Sequence, residues 1–167
     1  MLIKTLIAQS KRNQFIFWRW INVKQGTLLA FAENRIGGCG DQGTHNLVVR
    51  RSTDMGRTWG ALITVFVGVQ PCPGCPAAVS NPNPLEVTLE NSTRAILLAF
   101  DTMNNPSASH HGLDMTMWSF DDGLTWGQVS PMIYPPQKNV WVSRFVFQAR
   151  SYGANLHTLQ SFQAKLW

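Results

Sequence analysis

The chain matches itself. Ser52-Thr53-Asp54-Met55-Gly56-Arg57-Thr58-Trp59 returns as Ser119-Phe120-Asp121-Asp122-Gly123-Leu124-Thr125-Trp126, an offset of 67 (119 − 52). Leu28-Leu29-Ala30-Phe31 returns as Leu97-Leu98-Ala99-Phe100, an offset of 69 (97 − 28). Similarity at a fixed period marks a supersecondary unit that cannot bury its own apolar face and must pack on its neighbour. Each octet follows a strand-like run, Leu47 to Arg51 in one copy and the alternating Leu113 to Trp118 in the other. Another such run follows each octet, around Ala61 to Val67 and Gln128 to Ile133. The octet itself has turn chemistry. Ser and Asp side chains bond backbone groups across a hairpin, Gly supplies a positive φ, and Trp anchors the turn. Neither copy sustains a 3.6-residue period, so a propeller blade of about four antiparallel strands fits better than a helical solenoid.

Composition agrees with an all-β class. Charged residues are 14% of the 167, while 44% are hydrophobic, with 7 Trp and 9 Phe, which excludes a disordered, collagen-like or polyelectrolyte chain. Gly (13) and Pro (9) outnumber the acidic residues (9), favouring short strands and turns over long helices. The net charge of +5 suits an anionic partner, yet apart from Lys11-Arg12 and Arg50-Arg51 the basic residues stand singly, so no nucleic-acid partner is expected. No run approaches the length of a membrane span. The apolar stretch from Met1 to Ala8 is interrupted by Lys4 and makes a poor secretory signal. Cys72-Pro73-Gly74-Cys75 lacks both a thioredoxin-like context and a second ligand pair, so it reads as a turn with two thiols or a local disulfide, while Cys39 stands alone. His110-His111 has no partner at metal-ligand spacing and reads as a loop pair. Trp18, Trp20 and the Phe residues around them read as core. Asn91-Ser92-Thr93 is an acceptor sequence for N-glycosylation, relevant only to a chain on the secretory route.

The octet resembles the Asp box, and its context makes the chain similar to sialidases (neuraminidases) of the six-bladed propeller superfamily. Gly26 to Arg35, then Asp41-Gln42-Gly43, then Leu47 to Ser52 resembles the opening blade of animal sialidases, nearest to the lysosomal pattern. Asn81-Pro82-Asn83-Pro84 resembles the family's Asn-Pro-x-Pro segment, and Met117-Trp118-Ser119 fits the entry to the second box. The likeness covers roughly 60% of the chain, Gly26 to Trp126. It implies a partial six-bladed β-propeller of about two antiparallel four-stranded blades, with residues 26–67 in the first blade, 81–133 in the second and 134–167 a divergent tail.

Such an enzyme is an exo-α-sialidase, removing terminal sialic acid from glycoproteins, oligosaccharides or gangliosides. It must hold an anionic sugar, protonate a glycosidic oxygen and stabilise an oxocarbenium-like transition state, and its nucleophile is a tyrosine in place of the usual carboxylate. A neutral nucleophile suits a substrate that already carries a carboxylate. By position in the motif Asp41 resembles the acid/base, in a Gly-rich loop able to bring a carboxylate over a pocket. From the residues alone, Asp41 reads first as a loop cap, and it is the family pattern that makes it the acid/base. Arg35 resembles a residue lining the sugar pocket, and Asn81 one near the N-acetyl group, although Asn before Pro also suits a turn. Ser52, Asp54, Trp59, Ser119, Asp121 and Trp126 are structural on this reading, and Asp121-Asp122 is not a catalytic carboxylate pair. Of the neighbours Arg50 and Arg51, which face opposite sides of a strand, one is expected to pair with the next blade. The resemblance implies no metal and no cofactor, sialylated glycoconjugates as partners, and a lysosomal or extracellular setting; membrane association and oligomeric state stay open.

The chain also departs from the family. An Arg-Ile-Pro should begin the first blade, its arginine one of three gripping the substrate carboxylate, but position 16 is Ile. Arg12 and Arg19 flank that place, and Arg19 is the nearer echo, in Arg19-Trp20-Ile21-Asn22. The other two arginines and the Tyr/Glu nucleophile pair belong to later blades and have no counterpart here; Tyr134 and Tyr152, the only tyrosines, stand in no such context. A ring of this period needs roughly 6 × 67, about 400 residues. The expectation is therefore a truncated sialidase, inactive alone. The alternative is a non-catalytic sugar-binding or interaction module.

Overall fold

The structure is a computed structural model, and it describes residues 13–23, 26–38, 40, 43–68, 78–102 and 114–132. These residues form two antiparallel four-stranded sheets, with no helix among them, so the fold is all-β and propeller-like. The first sheet runs in chain order through β1 (Asn13–Asn22), β2 (Leu28–Ile36), β3 (Thr44–Ser52) and β4 (Ile63–Val67). The second repeats that order with β5 (Val79–Thr88), β6 (Arg94–Thr102), β7 (Asp114–Ser119) and β8 (Ser130–Pro131).

The sequence repeat becomes a repeat of hydrogen bonds. Ser52 Oγ donates to Asp54 Oδ1 (2.8 Å) and accepts the Gly56 N–H (2.8 Å). Asp54 in turn accepts the Thr58 N–H on both oxygens (2.9 Å each) and the Thr58 hydroxyl. In the second copy Ser119 Oγ donates to Asp121 Oδ1 (2.9 Å) and accepts the Gly123 N–H (2.9 Å), and Asp121 accepts the Thr125 N–H (2.8 Å) and hydroxyl. Two consecutive positive-φ residues make each turn, Met55 and Gly56 (62° and 83°) and Asp122 and Gly123 (56° and 80°). The turns close by Gly60 N–H to Arg51 O and Gly127 N–H to Trp118 O, both at 2.8 Å. Both indole N–H groups, of Trp59 and Trp126, are buried without a hydrogen-bond partner.

One apolar core joins the sheets. Strand alternation and register put Leu29 and Phe31 on the same face of the first sheet as Val49 and Leu47. In the second sheet Leu98 and Phe100 share a face with Met117 and Met115. These residues, with Ile21, Val23, Val65, Val79 and Ile96, form a single cluster. Phe31 meets Trp126 edge-on at 5.8 Å and Phe66 meets Phe100 at 5.1 Å. Of the paired arginines, Arg51 donates from Nε to the Asp122 carbonyl (2.7 Å), binding strand β3 to the second octet. Arg50, on the opposite face, keeps its buried Nε without a partner. Trp20 departs from the core reading. It lies opposite Ala30, on the face away from Leu29, and is 60% exposed.

Candidate functional site

The registers sort the connections to two ends. Leu28 pairs with Ser52 and Thr88 with Arg94, so both octets and the two-strand turns share one end. Ile36 pairs with Thr44 and Val79 with Thr102, so residues 37–43, 69–77 and 103–113 connect strands at the other end. That loop end carries Arg35 and Asn81.

Arg35 is 3% exposed, and its cross-strand partner is His45, which is fully buried. Two residues earlier on the same strand face lies Glu33, also fully buried. Arg35 Nε donates to Glu33 Oε2 (2.9 Å) and Nη2 stands 2.7 Å from the same oxygen, a charge-assisted bidentate contact of one guanidinium with one carboxylate oxygen. Glu33 Oε1 accepts the Asn81 N–H (3.2 Å) from the second sheet. His45 Nε2 lies 3.0 Å from the Gly40 carbonyl, which can only accept, so Nε2 carries the hydrogen. Its Nδ1, 3.9 Å from Glu33 Oε2, has no hydrogen-bond partner. Gly40 O also accepts the Gly43 N–H (3.3 Å), and Asp41 falls in sequence between these two glycines. Asp41 itself lies outside the described residues, as do Cys39, Cys72, Cys75, His110, His111, Tyr134 and Tyr152.

Asn81 sits in a strand rather than a turn. It occupies an irregularity in β5 between Ser80 and Asn83 and takes a left-handed φ of 55°, a conformation Asn tolerates better than other side chains. Three of its groups are committed. Its N–H goes to Glu33, its Nδ2 donates to Asp101 Oδ2 (2.9 Å), and its carbonyl accepts Asn83 Nδ2 (2.7 Å). The Ser80 hydroxyl occupies the other oxygen of Asp101 (2.7 Å). The left-handed backbone at Asn81 is thereby fixed by partners from both sheets.

Arg35 and Asn81 are thus joined through Glu33. The Arg19 backbone pairs with Phe31, four residues from Arg35 along the neighbouring strand, or about 13 Å at the strand rise.

Sequence reasoning missed Glu33, His45, Ser80, Asn83 and Asp101. Glu33 was reachable, since residues two apart on a strand share a face with Arg35. His45 required the hairpin register, and Asp101 the β5 irregularity, neither of which has a local signature. The acidic pair of the second octet has no place here. The Asp121 carboxylate is bonded within its turn, and the Asp122 carbonyl serves Arg51. Among the described residues no three His, Cys, Asp or Glu side chains gather as a metal site, and no helix is long and apolar enough to cross a membrane. No protein-family model matches the chain.

Proposed function

We propose that this chain is the opening two-blade portion of an exo-α-sialidase propeller, its loop end handling a terminal sialic acid. The observation that carries this reading is the linkage of Arg35 and Asn81 through buried Glu33, at the end away from the two Asp-box turns. On this reading Asp41 gives its proton to the glycosidic oxygen as the bond to the anomeric carbon breaks. It then takes a proton from the water that releases the sugar. Arg35, held in one orientation by Glu33, borders the sugar, Asn81 lies beside the N-acetyl group, and Arg19 stands toward the carboxylate. The tyrosine nucleophile and the remaining arginines come from later blades.

A second reading, a non-catalytic sugar-binding or interaction module, is favoured by one observation. Arg35 Nε and Nη2 are already engaged by Glu33.

The test is turnover of a fluorogenic sialoside by the 167-residue chain and by the product of the coding sequence extended downstream. The expected outcome is no turnover by the former and hydrolysis by the latter, reduced about 10²–10⁴-fold by Asp41→Asn, the usual contribution of a positioned acid/base. Sialoside binding without turnover in the extended product favours the second reading. Turnover unaffected by Asp41→Asn refutes the proposed acid/base.

A further inference from the structure

The turn between β5 and β6 belongs to neither the core nor the loop-end network. It carries Asn91-Ser92-Thr93, the one Asn-x-Ser/Thr sequence in the chain with a residue other than proline in the middle; Asn105-Pro106-Ser107 is disqualified by Pro106. Residues 91, 92 and 93 are all exposed. The turn is defined by its own bonds. Ser92 N–H donates to Leu89 O (2.9 Å), Leu89 N–H donates to Thr93 O (2.8 Å), and Ser92 takes a left-handed φ of 63°. Within it Asn91 uses its carboxamide oxygen, Oδ1 accepting the Thr93 N–H (3.0 Å). That bond turns the asparagine back toward the residue whose hydroxyl completes the acceptor sequence.

We infer that Asn91 is a competent N-glycosylation acceptor, which in a chain led into the secretory route carries an oligosaccharide at the end of the protein away from Arg35 and Asn81. Nδ2 attacks the anomeric carbon of an oligosaccharide held on a lipid pyrophosphate. The N–C bond forms, the C–O bond to the pyrophosphate breaks, the lipid pyrophosphate leaves with the electron pair, and one Nδ2 proton passes to a base of the transferring enzyme. The product keeps the turn, because Oδ1 still accepts the Thr93 N–H. No core residue is displaced, since the sequence sits on an exposed hairpin tip where a bulky polar adduct remains in solvent. Placement at the octet end leaves the candidate sugar-handling end uncovered, so this site stands whether or not the chain processes sialosides.

The experiment directs the full 167-residue chain into microsomes behind a cleavable secretory signal. The expected result is one discrete gain in mass in the protease-protected fraction. Treatment with peptide-N-glycosidase removes it and leaves an aspartate in place of Asn91, read by mass spectrometry. The gain persists in Thr93→Ser and in Asn105→Gln and is lost in both Asn91→Gln and Thr93→Ala. A protease-protected chain without the gain overturns the inference, as does a gain that survives Asn91→Gln.

Discussion

A carboxylate with no solvent contact has to be satisfied by its neighbours, and Glu33 is satisfied by two sheets at once. Arg35 lies on its own strand and the Asn81 N–H comes from β5, with His45 beside them. Removing one partner of a buried ion pair leaves an uncompensated charge, whereas replacing both by apolar groups is often neutral. Glu33→Ala should therefore lower stability by about 3–5 kcal/mol in urea titration, while Glu33→Leu with Arg35→Met should recover most of that loss. Equal losses in the single and double variants would show that the pair is not the source. This interaction was half legible. The Glu-x-Arg spacing on an alternating strand put both side chains on one face, but the third partner, a backbone amide from residue 81, is brought there only by tertiary folding.

The octet turns are elements whose stability depends on charge. Hydrogen bonds from the Thr58 hydroxyl and N–H and from Ser52 lower the Asp54 carboxyl from 3.8 to about 2. Burial pushes Asp121 up, but bonds from Thr125 and Ser119 outweigh it, and that carboxyl is lowered too. A carboxyl depressed by folding contributes stability that is full above its unfolded pKa and is lost as pH falls through its folded one. Turn stability should thus decline from about pH 4 toward pH 2, and Asp54→Asn should flatten part of that acid limb in pH-dependent urea midpoints. A full acid limb in Asp54→Asn would refute the assignment.

Packing adds a second constraint at the same turn. A Cβ on Gly123 would lie 3.1 Å from Leu29 Cδ1 of the other sheet, whereas Gly26, with a similar φ of +84°, has nothing within 4 Å. Both glycine-to-alanine changes carry the left-handed penalty of about 1–2 kcal/mol. Gly123→Ala should cost about 1–3 kcal/mol more, the price of overpacking, as read from their urea midpoints. The need for glycine was visible from the repeat; its contact with Leu29 was not.

At the scale of the molecule, the two sheets share one core, so they should unfold together. Phe31, fully buried and edge-on to Trp126, joins them. Phe31→Ala should cost about 3–5 kcal/mol and move the far-ultraviolet dichroism and tryptophan fluorescence transitions by the same amount. Separation of the two transitions would mean that each sheet is stable alone. The sheet edges differ in length. β8 is two residues long and β4 five, while β1 and β5 are ten each, so the edge formed by the last strand of each sheet is short and the edge formed by its first strand is the longer one to protect.

The sequence by itself determined the class, the period and the turns, because a hairpin that bonds its own Ser, Asp, Gly and Thr needs nothing beyond eight consecutive residues. It also marked Arg35 and Asn81 as residues of interest, through position in a motif. Tertiary structure decided what those residues touch. Arg51 reaches Asp122, Glu33 reaches Asn81, and Phe31 reaches Trp126 only when one sheet lies against the other. Alternation assigns each side chain a face, but not the group that will meet it there.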